Sequence, residues 1–284
     1  MIRKIIFLFL CASLFADVRT IESFQEVVSE FKELDETTLV VFDIDEVLIT
    51  AVDQGLKTPH KKLFRKIADE FMENAKTKEQ KKLIEYRLSL TYLYPDRVVT
   101  EPEVIGLLKK LQEQGVYVMG ITRCHNGRYG IIPHVEQWRK EILWKNGINF
   151  NKGQFHGVSF ELDGLGYPEG GAPQFDKGLL FGKKYPKARL IREVIDQLQL
   201  PVKTIYVIDD EQNNLAQLHP LDDFNVHPIE YIGAKKQLKE LSKRKLRWQI
   251  TKLVETGEWI DDQTIDEFGM VSGFFKYSIP SWFF

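Results

Sequence analysis

Cysteine is nearly absent from this chain, and the shortage removes two function classes at once. Of 284 residues only Cys11 and Cys124 are cysteines, too few for a disulfide framework or a thiolate zinc site. The six histidines show no metal-ligand spacing, so a nitrogen-ligated metal centre is not expected either. A surplus of one charge is also missing. The 39 Lys and Arg residues face 41 Asp and Glu for a net charge of −2, whereas an obligate nucleic-acid binder carries a domain-wide basic excess. Repeats and low-complexity tracts are lacking. Beyond the extreme N-terminus, no stretch approaches the roughly 20 apolar residues that cross a bilayer.

What the N-terminus does contain is an address. Arg3 and Lys4 precede the apolar residues 5–10 and the small residues 11–13, with Ala16 placed to end a bacterial-type secretory signal. Leu14 is larger than the small residue preferred before a cut, which leaves an uncleaved anchor as the alternative. The expectation is removal of residues 1–16 and export to the periplasm or beyond, with no stable membrane association after cleavage. Cleavage leaves Cys124 as the sole thiol, so stability must come from the core.

The remainder has ordinary globular proportions, 43% hydrophobic and 28% charged. Apolar runs at 39–42, 116–121, 204–208 and 226–231, with a shorter one at 178–181, read as strands buried in a parallel sheet. Helical spacing appears at 22–34, 135–144 and 187–198, and also over 101–115, where Thr100 to Glu103 has a capping-box pattern. Strands alternating with helices predict an α/β fold, a doubly wound parallel sheet.

Residues 57–96, helical almost throughout, read as an inserted helical cap. Residues 126–176, rich in glycine and aromatics, read as a second insertion or extended loop. The core then comprises 17–56, 97–125 and 177–233, and 234–284 forms a C-terminal helical extension. Its helix should run from Gly233 to about Thr256 with its lysines on a solvated face. The aromatic residues 274–284 should pack on the domain.

The chemistry lies at strand ends. Asp43 and Asp45 terminate the first buried run, Thr122 ends the second, and Asp209 and Asp210 end a later one, while Lys187 opens a helix between the last two. Ligands in such sheets bind beyond the carboxyl ends of the strands, so these points can converge on one crevice. Several carboxylates without a His or Cys cluster make a hard oxygen site, which favours Mg2+ over zinc. Carboxylate nucleophiles suit phosphoryl transfer when a divalent cation screens the repulsion between anions.

The ordered set Asp43-Ile44-Asp45-Glu46-Val47, Thr122, Lys187 and Asp209-Asp210 resembles the haloacid dehalogenase superfamily of phosphohydrolases over residues 38–231. Residues 175–181 leading to Pro186-Lys187-Ala188 resemble, more finely, a bacterial secreted branch of it. The resemblance implies that Asp43 attacks phosphorus to give an aspartyl-phosphate, while Asp45 protonates the leaving oxygen and then activates water. Thr122 would bond a phosphoryl oxygen and Lys187 would neutralise charge. Magnesium would be held by Asp43, the backbone carbonyl of Asp45, and Asp209 or Asp210.

The acid role of Asp45 asks for a carboxyl raised in pKa beside one kept ionised. Lys183 and Lys184 compete with Lys187, and Glu46 brings an extra acid to the motif. Cys124 and Arg128 stand too close together for the phosphate-wrapping loop of a cysteine phosphatase. His125 and Arg128 follow Thr122 on the same side, where either a substrate contact or a structural role fits.

The expected activity is hydrolysis of a small phosphomonoester. The alternative is a periplasmic binding or interaction module that keeps the scaffold without turnover, its metal site disturbed by Glu46.

Overall fold

A computed structural model describes residues 17–94, 96–124, 126–162, 172–183 and 185–272, with side chains to residue 267. The expected signal segment 1–16, the aromatic tail 274–284, His125 and Lys184 lie outside the described residues. The chain enters as a short strand, β1 (Arg19–Ile21), followed by a helical turn, α1 (Val28–Phe31), in place of the single helix that the spacing over 22–34 predicts. Pairing sets β1, which no local pattern announces: Ile21 is fully buried and lies beside Tyr231 in a parallel ladder. Next comes β2 (Thr38–Asp43), buried along its whole length. Its side chains alternate between two cores, Leu39 and Val41 on one face and Val40 and Phe42 on the other.

A small antiparallel pair, β3 (Ile49–Ala51) and β4 (Arg97–Val99), brackets the expected cap, which consists of α2 (Lys61–Asn74) and α3 (Lys78–Ser89). Then follow α4 (Glu103–Glu113), β5 (Tyr117–Thr122) and α5 (Val135–Lys145). The capping box expected at Thr100 does not form. The Thr100 hydroxyl donates to the carbonyl of Val47, and Glu101 instead accepts from Ser23, from the backbone of Phe24 and from the Tyr231 hydroxyl. Those bonds tie the start of α4 to the first strand and the last.

Residues 126–176 are more than an insertion, because they hold β6 (Ser159–Glu161) and β7 (Gln174–Asp176), which join β8 (Leu179–Phe181) as antiparallel neighbours. The chain continues through α6 (Lys187–Leu198), β9 (Thr204–Asp209), α7 (Gln212–Leu215) and β10 (Asn225–Tyr231). Among the described residues the sheet has eight strands in the order β1-β10-β9-β2-β5-β8-β7-β6, parallel from β1 to β8. Helices cover both faces: α4 and α5 pack on the Val40 side, α6 and α7 on the Leu39 side.

The C-terminal region is not one helix from Gly233. It breaks into α8 (Gly233–Lys236), α9 (Lys243–Thr256) and α10 (Asp262–Ser272). Helix α9 packs its buried Leu246, Ile250 and Leu253 against Ile67 and Ala68 of α2 and Leu88 of α3. Cap and C-terminal helix therefore share one hydrophobic core, a third cluster apart from the two that sandwich the sheet. Among the described residues, no helix is long and apolar enough to cross a membrane.

Candidate functional site

Strand β2 lies between β5 and β9, so the ends of these three strands are neighbours at the carboxyl edge of the sheet. That adjacency brings the aspartates together: oxygens of Asp43, Asp209 and Asp210 lie within 4.8 Å of one another, and all three residues are buried. Lys187, at the first position of α6, reaches into the cluster with its ammonium 2.7 Å from Asp43 and 2.6 Å from Asp209. It is buried too. Of the competing lysines, Lys183 is buried in the turn before α6 with a left-handed backbone, φ +50°, whereas the ammonium seen against the aspartates is that of Lys187. The geometry assigns the contact to Lys187.

Burial, reinforced by charge repulsion, sets the electrostatics of this cluster. Burial pushes the Asp43 carboxyl up to about 7, with Lys187 pulling it down and Asp209 pushing it further up. Burial, then the proximity of Asp43 and Asp209, raise Asp210 to about 8. Lys187 goes the other way: burial disfavours its charge, but Asp43 and Asp209 outweigh that and hold the ammonium protonated. One cation for three carboxylates leaves an unmet need for positive charge, and the donors are all hard oxygens. The residues present therefore fit magnesium.

The two members of the acidic pair differ. Both oxygens of Asp209 are occupied, by Lys187, by the Asn214 amide at 3.0 and 3.2 Å and by the backbone N–H of Glu211. The backbone carbonyl of Asp210 accepts from Lys235, which also pairs with Glu230, while no side-chain cation contacts its carboxylate among the described residues. The C-terminal lysines are thus not all on a solvated face, and Lys235 braces the loop that carries Asp210.

Asp45 stands apart from the cluster of three. Its carboxylate takes two parallel bonds from Arg139 of α5, each 3.1 Å. Burial acts to raise Asp45, but Arg139, Lys61 and Arg97 outweigh it and hold the carboxyl well below the usual carboxylate range. The raised carboxyl expected at Asp45 is therefore displaced to Asp43 and Asp210. Glu46 turns away from the aspartate cluster: at φ +64° it points its carboxylate to the Thr50 hydroxyl at 2.7 Å and the Thr58 N–H at 2.8 Å, linking the Asp-x-Asp loop to the start of the helical pair.

Thr122 is buried at the tip of β5, one residue past the Asp43–Ile121 pair, and its hydroxyl accepts from the N–H of Cys124. It shares the sheet edge but is not among the residues that line the cavity over the aspartates. Burial pushes the Cys124 thiol up, which keeps it a poor nucleophile. Arg128 folds back on its own loop, bonding the Gly130 carbonyl.

Above the aspartates opens a cavity of about 780 Å³, floored by Asp43, Asp45, Lys187 and Asp210 and walled by one side of α2. Three participants escape a reading of the sequence: Arg139, Asn214, and Arg123, whose guanidinium bonds the Asn214 side chain at 2.6 Å. Only Asn214 left a signal, as an amide on the short helix that follows the acidic pair.

The pattern of the family described as "Protein of unknown function (DUF2608)" matches residues 20–266. No protein of curated function and no solved structure matches the chain.

Proposed function

Because this chain belongs to the DUF2608 family, whose description names no activity, its function has to be read from the site, and we propose a magnesium-dependent phosphomonoester hydrolase of the haloacid dehalogenase type. One observation carries the proposal: a lysine bridges the first aspartate of a strand-end Asp-x-Asp to an acidic pair on the adjacent strand, beneath a cavity.

In this reading Asp43 is the nucleophile: its attack on phosphorus breaks the P–O ester bond and gives an aspartyl-phosphate, while the leaving oxygen takes a proton from Asp45 and departs as the alcohol. Lys187 pulls Asp43 toward its ionised form against burial and faces the phosphoryl charge as it arrives. Asp210, with Asp43, would hold Mg2+, Asp209 serving chiefly to anchor Lys187, and the backbone carbonyl of Asp45 is the remaining protein donor. Bound there, the metal supplies screening between the anionic nucleophile and the anionic phosphoryl group. Asp45 rests as a carboxylate, ready as the base that takes a proton from water in the second half-reaction; its acid step needs a proton acquired with the substrate. Thr122 offers a hydroxyl to a phosphoryl oxygen.

The protein is taken to be exported, periplasmic or secreted, and to act on small phosphorylated molecules rather than nucleic acid. That Glu46 bonds Thr50 and Thr58 supports turnover over the alternative, a catalytically silent binding module that keeps the scaffold.

The test is hydrolysis of p-nitrophenyl phosphate with and without magnesium. The expected outcome is metal-dependent turnover that falls at least a thousandfold in Asp43→Asn, roughly 4 kcal/mol of barrier. Purified wild-type protein inert across a broad phosphoester panel in the presence of magnesium would overturn it.

A further inference from the structure

The wall of the cavity is charged in a way the phosphoryl site does not require. Lys61, Lys62, Arg65 and Lys66 of α2 and Arg123 beyond β5 all line it. Positions 61, 62, 65 and 66 are spaced i, i+1, i+4, i+5, which places them on one side of the helix. None of the four forms an ion pair among the described residues, and Arg123 bonds an amide rather than a carboxylate. The like-charge i, i+4 pairs Lys61/Arg65 and Lys62/Lys66 weaken the helix that carries them. Their alignment toward the cavity therefore brings no folding benefit. Thr58, on the same wall, has a buried hydroxyl without a partner.

The row also has a direction. Lys61 is close enough to the catalytic floor to act on Asp45, whereas the acidic residues of the same wall, Asp69, Glu70 and Glu73, come later along α2. Glu70 is already engaged by Arg247 of α9. With a rise of about 1.5 Å per residue, Arg65 and Lys66 stand about 6–8 Å beyond Lys61 along the helix, and Glu73 about 18 Å. The basic part is the part within reach of a small molecule whose phosphoryl group sits at Asp43.

Resting on the phosphatase reading above, we infer that the substrate is a small phosphomonoester bearing a second anionic group, a carboxylate or a second phosphate, which Lys61, Arg65 and their basic neighbours on α2 bind while the first phosphoryl group meets Asp43. One such anion meets the unpaired cations of the wall, and selection comes from the difference between one charge and two. A substrate with an uncharged tail leaves those cations to water and gains nothing from them.

The experiment compares kcat/KM of the full magnesium-loaded protein on glycerol phosphate, 3-phosphoglycerate and fructose 1,6-bisphosphate, with fructose 6-phosphate as the neutral counterpart of the last. The expected result is at least a tenfold preference for a two-anion substrate over its neutral-tailed counterpart, carried mainly in KM. The 3-phosphoglycerate arm reports a carboxylate and the bisphosphate arm a second phosphate. In the double variant Lys61→Gln/Arg65→Gln that ratio should fall to near one; Lys62→Gln/Lys66→Gln, at the exposed edge of the row, gives a second variant should the first fold poorly. Turnover of all four compounds without preference overturns the inference and leaves the phosphatase reading standing. Absence of all turnover defeats that reading instead, and thermal shift with the same ligands then decides the anion site: equal shifts for one-anion and two-anion ligands overturn it, and larger shifts for the two-anion ligands that disappear in the double variant support it.

Discussion

Arg139 shows how a single side chain fixes the state of a catalytic candidate from far away in sequence. It is buried, bonds both oxygens of Asp45 and lies over the Trp138 ring, so in the ligand-free protein the Asp45 carboxylate is held in place and ionised near neutrality. The bidentate fork is specific to arginine. Replacing it by Arg139→Gln removes the strongest influence holding Asp45 down and leaves the burial that pushes it up. The expected outcome is that the limb of the pH profile of kcat/KM governed by Asp45 moves to higher pH, with kcat reduced, and that Arg139→Lys restores part of both. A profile that does not move would make Arg139 a packing residue only. At this scale the site was half legible. Asp43, Asp45, Thr122, Lys187, Asp209 and Asp210 announce themselves at strand ends and a helix start, where the hydrophobic pattern changes. Arg139 sits on an amphipathic helix like many arginines, and only the tertiary fold brings it against a partner 94 residues away.

At the scale of elements, the legible parts are those whose pattern is set locally. Strands β2, β5 and β9 are long apolar runs, and α6 has one broad apolar stripe, so each was expected where it is found. The hairpin of β7 and β8 was missed although it carries a turn signal: Lys177 and Gly178 both have positive φ, +54° and +81°, the type I′ geometry that a two-residue hairpin prefers. Gly178 is also required by space, since a Cβ there would stand 2.6 Å from the Phe150 carbonyl oxygen. Strand β1 leaves no sign in the sequence because three residues are too few to show a period of two, and its identity comes from β10. The union of cap and C-terminal helix was illegible for a similar reason, as nothing local in α9 says that its apolar face belongs on α2 and α3. That union is testable. Leu246 is fully buried between them, so Leu246→Ala should cost about 2–5 kcal/mol in chemical denaturation. Because α2 also walls the cavity, the same variant should raise KM more than it lowers kcat. A loss of stability with KM unchanged would show that the α2 wall keeps its place without α9.

For the whole molecule, the buried aspartates make stability a function of pH and of metal together. A carboxyl whose folded pKa is raised keeps protons that the unfolded chain releases near pH 4, so its contribution is complete below that pH and is lost as pH rises through the folded value. Asp43 and Asp210, at about 7 and about 8, place that loss between pH 4 and 8 in metal-free protein. Asp53, raised by burial, acts in the same direction without belonging to the cluster of three aspartates. Asp45 and Asp176 have the opposite sign: lowered in the folded state, they stabilise above pH 4 and lose that contribution on acidification. Metal-free protein should therefore melt at lower temperature at pH 8 than at pH 5.5. A divalent cation competes with the protons on Asp43 and Asp210, so added magnesium should raise the melting temperature more at pH 8 than at pH 5.5. Asp210→Asn separates the contributions, since it removes one of the repelling charges while leaving Asp53 in place. Without metal it should melt higher than wild type at pH 8 and show a flatter pH dependence, and magnesium should stabilise it less. Melting temperatures of wild-type protein that neither fall from pH 5.5 to pH 8 nor respond to magnesium would mean that the three carboxylates are not a cation site, because their mutual repulsion would then have been relieved by the fold itself.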